Sequence, residues 1–376
     1  MNTIINTINI IKGIYEINKD DIGKDIQIIN DKNGYLLDDH ENKEIKEHIK
    51  VIINGEIKSH ILTYKFNKEG IYNIYLISNK DLTNMSRMFR YCSSLKELNL
   101  LSFNTNKVTD MSYMFEHCYS LKELNLSSFN TNQVIDMSYM FDNCRSLKEL
   151  NLSSFNTNQV TNMSDMFHDC SYLSELNLSS FNTNQVTDMS NMFDNCRSIT
   201  ELNLSSFNTN QVTDMSNMFN NCYSLKELNL SSFNTSKVTN MAGMFCNCLQ
   251  LKKLNLSSFD TSKVTNMGVM FRNCSLSKLN LSSFDTSKVT NMAGMFCDCF
   301  SLKELDLSSF NTSKVTNMAL MFRNCSSLIE LDLSSFNTNH ETYMLDMFNN
   351  INKSCKIISE DQNIVKITNG ANCTII

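Results

Sequence analysis

Two apolar rhythms alternate along most of this chain, and the switch between them predicts the secondary structure. From Leu95 onward, Leu98 and Leu100 alternate with polar Glu97 and Asn99, the period of a half-buried strand. Met111, Met114, Phe115 and Cys118 then fall at i, i+3, i+4 and i+7, which predicts a short helix with all four on one stripe. Thr109 and Asp110 stand where the cap and the acidic first turn of that helix belong. Leu95, Leu98, Leu100, Phe103, Val108, Met111, Met114, Phe115 and Cys118 make one apolar rung. A single rung cannot bury itself, so stability has to come from stacking.

The rung recurs. A Met-Phe pair ends at Phe89, Phe115, Phe141, Phe167, Phe193, Phe219, Phe245, Phe271, Phe296, Phe322 and Phe348, a step of 26 residues broken once by a step of 25 before Phe296. The consensus reads Leu-x-x-Leu-x-Leu-Ser-Ser-Phe-Asn-Thr-x-x-Val-Thr-x-Met-Ser-x-Met-Phe-x-x-Cys, a leucine-rich repeat in period and leucine spacing. The expected fold is α/β: a leucine-rich-repeat solenoid with a parallel sheet on one face, short helices on the other and an N-terminal β-rich cap. The expected domains are a cap over residues 1–81, the repeats over 82–350 and a C-terminal cap over 351–376. Within the first, Asn54-Gly55 after Ile52-Ile53 predicts a tight hairpin, and residues 64–75 predict a second. At the other end the pattern decays: Glu341 replaces the buried Val, Ile351 replaces the Cys, and Lys356-Ile357-Ile358 predicts a last strand. Covers at both ends would protect the sheet edges.

The unit from Leu121 to Cys144, with Leu-Lys-Glu-Leu-Asn-Leu-Ser-Ser-Phe followed by Met-Ser-Tyr-Met-Phe-Asp-Asn-Cys, resembles the repeat of the BspA-like leucine-rich-repeat surface proteins. The likeness runs over about residues 82–350, and it implies a cell-surface or secreted protein active in adhesion and in binding host or matrix proteins. The N-terminus departs from that type. Its first Lys is Lys12, Asn6 and Asn9 interrupt the isoleucines, and no cleavable signal is expected; Cys373 near the C-terminus lacks the basic stretch of a lipid anchor. Sequence alone therefore places the chain inside the cell, and the resemblance places it at the surface.

Charge and composition narrow the functions. The 376 residues carry 33 Lys+Arg against 39 Asp+Glu, a net charge of −6 with no basic block, which excludes nucleic acid as a partner. No apolar run is long enough for membrane insertion. Of the 14 cysteines, ten recur once per unit, at a spacing that suits neither zinc nor disulfides, and are read as a ladder of small buried side chains. Cys246 and Cys297 fall off that stripe and are the better candidates for a reactive thiol. The six histidines, at positions 40, 48, 60, 117, 168 and 340, show no register with Cys, Asp or Glu. No catalytic motif, phosphate loop or metal-ligand set is found, so no enzyme activity, cofactor or metal is expected.

Binding is the reading left. The solvent side of the predicted strands carries a Glu column and an Asn column, from which Glu123, Asn125, Glu149, Asn151, Glu175, Asn177, Glu201 and Asn203 are the candidate partner-binding residues. The structural alternative for this face is a solvated surface with Asn side chains bonded to one another along the stack. A second candidate surface, on the predicted helix side, has Tyr113, Tyr119, Tyr139 and Arg145, residue types that anchor interfaces. The expected function is non-enzymatic binding of a protein or glycan partner by a monomer, with affinity summed over near-identical units. The alternative is an intracellular scaffold or spacer.

Overall fold

A computed structural model of the protein describes residues 9–30, 42–59, 61–100, 102–339, 341–368 and the backbone of 374–375. Residues 1–8 and Cys373, on which the signal and anchor expectations rest, lie outside the described residues. The chain forms two compact units, Met1–Gln185 and Val186–Ile376.

The first unit contains β1 (Asn9–Ile17), β2 (Asp25–Gln27), α1 (Lys43–His48), β3 (Ile49–Ile53), β4 (Glu56–Ser59), β5 (Thr63–Lys65), β6 (Gly70–Ser78), β7 (Leu95–Leu100), β8 (Glu123–Asn125), β9 (Glu149–Asn151) and β10 (Glu175–Asn177). A six-stranded sheet in the order β4-β3-β6-β1-β7-β8 joins the non-repetitive N-terminus to the first repeat strands. β1 is antiparallel to both β6 and β7, and β7 is parallel to β8 with Glu97 opposite Glu123. Every second residue of β1 is buried, so one of its faces belongs to the core. Gly13 is required there: a Cβ on it would sit 2.9 Å from the Tyr15 ring and 3.2 Å from Leu95 Cδ1. The Asn54-Gly55 hairpin forms as expected between β3 and β4, with both residues at positive φ. The second expected hairpin does not form. β5 pairs with β2, whereas β6 finds nine partners along β1 that a three-residue β5 could not supply.

The second unit contains β11 (Glu201–Leu202), β12 (Glu227–Leu228), β13 (Lys253–Leu254), β14 (Lys278–Leu279), β15 (Glu304–Leu305), β16 (Glu330–Asp332), β17 (Lys356–Ile358), α2 (Gln362–Thr368) and β18 (Thr374–Ile375). Its strands pair in parallel and in register, Glu201 with Glu227 and Lys278 with Glu304. The predicted last strand, β17, lies beside β16.

The expected helices of the repeats are absent. From Met111 to Cys118 the chain runs through consecutive i to i+3 turns, with Met114 N–H donating to Met111 O at 3.3 Å and Cys118 N–H to Phe115 O at 3.1 Å. Tyr113 and His117 have φ of 58° and 61°, which no α-helix tolerates. Their N–H groups point along the stack: Tyr113 donates to Ser138 O at 2.9 Å and His117 to Asp142 O at 2.8 Å. The cap is Asp110, not Thr109, and it closes a turn: Asp110 Oδ1 accepts from Ser112 N–H at 2.9 Å. Burial of the stripe survives, since Met111, Met114, Phe115 and Cys118 are all fully buried. The repeats are thus leucine-rich turns carrying short parallel strands, with few helices. Beside the apolar rung runs a column of buried threonines, among them Thr105, Thr131, Thr235 and Thr261.

Candidate functional site

The sheet face places every predicted residue in solvent. Glu123, Asn125, Glu149, Asn151, Glu175 and Asn177 of the first unit are exposed and line one open groove of about 850 Å³ with Lys122 and Ser153. Glu201 and Asn203 are exposed in the second unit, on a smaller groove with Glu227 and Asn229. Parallel, in-register pairing sets Glu149 opposite Glu175 and Asn151 opposite Asn177.

The two columns differ in how far they are already engaged. Among the described residues, no hydrogen bond of the kind the solvated-face reading expects joins Asn125, Asn151 and Asn177 to one another along the stack. Each closes its own turn: Asn125 Oδ1 accepts from Ser127 N–H at 3.1 Å, Asn151 Oδ1 from Ser153 N–H at 3.0 Å and Asn177 Oδ1 from Ser179 N–H at 3.0 Å. Among the described residues Glu123, Glu149 and Glu175 have no ion-pair partner, while Glu16 holds Lys96 at 3.0 Å and Glu304 holds Lys278 at 2.6 Å. A strip of like charges about 5 Å apart therefore stands without an ion pair on the first unit, with Lys122 as the cation that lines the same groove.

The turn side is different in kind. Tyr113 stacks on Tyr139 with centroids 4.5 Å apart, and the Arg87 guanidinium lies 4.7 Å above the Tyr113 ring. Arg145 lies 5.4 Å over Tyr119 and is ion-paired with Asp169. Tyr113 and Tyr139 are half-buried, and burial pushes both phenols up from their ordinary range. These four residues form two pairs, Tyr113 with Tyr139 and Tyr119 with Arg145, which are engaged in turn by Arg87 and Asp169.

The reading of the histidines is corrected. His117 Nε2 lies 3.3 Å from Glu116 Oε1, and His168 Nδ1 lies 2.7 Å from Asp142 Oδ1. Glu116, Asp142 and His168 occupy one repeat position, 26 residues apart, so their alignment was legible in the register. His40, His60 and His340 lie outside the described residues.

All thirteen described cysteines are buried. They do more than fill space: Cys118 Sγ donates to Phe89 O at 3.1 Å and Cys144 Sγ to Phe115 O at 3.2 Å, a bond that recurs up the stack. Cys246 and Cys297, expected off the core as candidate reactive thiols, are buried as well, and burial pushes each thiol up to about 11. That is the wrong direction for a nucleophile at neutral pH. A thiol reagent at pH 8 should therefore modify no more than one cysteine quickly, Cys373 being outside the described set, and all 14 once the chain is denatured. Fast labelling of several thiols in the native protein would contradict the packing described.

No helix among the described residues is long and apolar enough to cross a membrane. A family profile described as "Mycoplasma protein of unknown function, DUF285" matches residues 62–175, 171–255 and 250–360. No curated protein matches. Among solved structures, a leucine-rich repeat protein from Bacteroides ovatus is 15% identical, covers 92% of this chain and 99% of its own, and has a TM-score of 0.33. A leucine-rich cell surface protein from Faecalibacterium prausnitzii is 17% identical over 79% of this chain and 87% of its own, with a TM-score of 0.33. A pneumococcal vaccine antigen is 13% identical over 76% of this chain and 71% of its own, with a TM-score of 0.27.

Proposed function

This chain belongs to the family described as Mycoplasma protein of unknown function, DUF285, and from that premise we propose that it is a non-enzymatic binding protein that docks a basic protein partner along its sheet face. The observation that carries the reading is the unpaired carboxylate strip of Glu123, Glu149 and Glu175 on an open groove. The Asn columns beside it are held by their own turns, so the backbone under the strip is fixed and binding has only the exposed Glu side chains to order. Each rung offers the same weak contact as the next, and affinity accumulates by avidity. The turn-side Tyr and Arg residues support this choice of face, because their own ring stacking and ion pairing already engage them.

The test uses the triple variant Glu123→Lys, Glu149→Lys, Glu175→Lys against immobilised polylysine, with heparin as the acidic control. The native chain should bind polylysine, lose it steeply between low and physiological salt, and ignore heparin. The triple variant should lose polylysine binding. Unchanged binding by that variant would move the site off the sheet face. The resemblance to BspA-like surface proteins supports an address at the cell surface. Protease shaving of intact cells should then remove the protein, and full protection would favour an intracellular scaffold instead.

A further inference from the structure

We propose that Glu116, His117 and Asp142 form a binding site for a borderline divalent cation of the zinc class on the turn side of the first unit. One ligand atom from each residue lies within 4.8 Å of the other two, and this is the one such group of three among the described residues. A tetrahedral zinc site with bonds of about 2.0–2.2 Å has ligand atoms roughly 3.5 Å apart, so side-chain rotations of about 1 Å would close the set. An imidazole with two carboxylates suits zinc, cobalt or nickel, whereas calcium wants six or more oxygens.

The scaffold fixes these residues before any ion arrives. Glu116 and His117 are adjacent in one rung, Asp142 is in the next, and the rungs are tied where His117 N–H donates to Asp142 O at 2.8 Å. Glu116 and Asp142 are each 5% exposed, while the His117 ring keeps 21% of its surface in solvent and gives the ion a way in. The His117 Nδ1 lies 2.8 Å from the Tyr119 hydroxyl. With Nδ1–H donating to that oxygen, the Nε2 lone pair faces the carboxylates, the outer support that metal-binding histidines carry. Asp142 Oδ1 is taken by His168 and by the Asn143 amide at 2.8 Å, which leaves Oδ2 without a hydrogen-bond partner among the described residues.

Arg90 is the competitor. Its Nη2 donates to Glu116 Oε1 at 3.0 Å, its Nε is ion-paired with Glu116 Oε2 in a nearly buried pair, and its guanidinium lies 4.9 Å over the Tyr91 ring, so the ion has to displace Arg90 from both Glu116 oxygens. The repeat itself offers substitutions that keep the fold. Asn143, Asn195 and Asn221 hold the His117 position at positive φ, and Asn220 and Asn349 hold the Asp142 position.

Titration of the full, untagged chain with Co2+ tests the site through its visible ligand-field absorption, followed by displacement with Zn2+ and with Ca2+. Saturation is expected at one Co2+ per chain, reversed by equimolar Zn2+ and not by Ca2+. His117→Asn and Asp142→Asn should each abolish saturation while melting like the native chain, and Tyr119→Phe should weaken binding by about tenfold. Three results would overturn the site: no saturable Co2+ binding, a curve unchanged in His117→Asn, or the intense charge-transfer bands of thiolate ligation. Should either asparagine variant fail to fold, the exposed Tyr119→Phe change decides, since unaltered affinity there also overturns it.

Discussion

Phe219→Ala should lower the unfolding free energy by about 3–5 kcal/mol, while Phe300→Ala should change it by less than about 0.5 kcal/mol. Both residues follow the same motif in sequence, one ending the Met-Phe pair and the other just after the rung cysteine, so the contrast isolates packing. Phe219 is fully buried, with the Phe193 and Phe245 rings parallel to it at 5.8 and 5.9 Å. Truncation would remove transfer energy and leave a cavity that neither neighbour can fill, since each is locked by its own stack. It also removes two ring contacts worth about 0.5–1.5 kcal/mol each beyond burial. Phe300 is 52% exposed and stacks on no ring among the described residues. Urea unfolding monitored by circular dichroism reads the difference directly. Equal midpoints for the two variants would mean that the Phe column is not the core of the repeat.

Period and burial were legible because they depend on side-chain volume, which the repeat writes out eleven times. The turn geometry was misread because a run of i to i+3 turns buries the same i, i+3, i+4, i+7 stripe as a helix. The distinguishing signal lay in the residue before the rung Cys, which is Asn or Asp in eight of the ten rungs: Asn143, Asp169, Asn195, Asn221, Asn247, Asn273, Asp298 and Asn324 all have positive φ. Asn and Asp are the residues that tolerate that region, and they are poor in helix interiors. The sheet-face candidates emerged from alternation alone. The convergence of Glu116, His117 and Asp142 follows from the stacking register on the turn side, where positions 26 apart are spatial neighbours. The thiols at positions 246 and 297 were placed outside the core by helical spacing that does not exist.

Thr131 is the second position where a large effect is expected, and it shows what an apolar inventory of the rung leaves out. Its side chain is 1% exposed, yet the hydroxyl is fully used: Oγ1 donates to Asn156 O at 2.8 Å and accepts from Asn156 N–H at 2.8 Å. Thr105 with Asn130 and Thr235 with Asp260 repeat the arrangement in other rungs, so each of these threonines ties its rung to the next. Thr131→Val keeps the shape and adds apolar surface, which on burial alone predicts stabilisation. It also leaves a backbone N–H and a C=O at the rung junction without partners, at about 1–3 kcal/mol each when water cannot reach them. Asn156 is half-buried, so a net loss of about 2–3 kcal/mol is expected. Thr131→Ser removes a methyl and keeps both bonds, for a loss of about 1 kcal/mol. The order native, Ser, Val in thermal midpoint puts the most apolar variant last, where burial alone would put it first. A Val variant at least as stable as the Ser variant would show that the threonine column is held by its methyl groups and that the hydroxyl bonds between rungs contribute nothing.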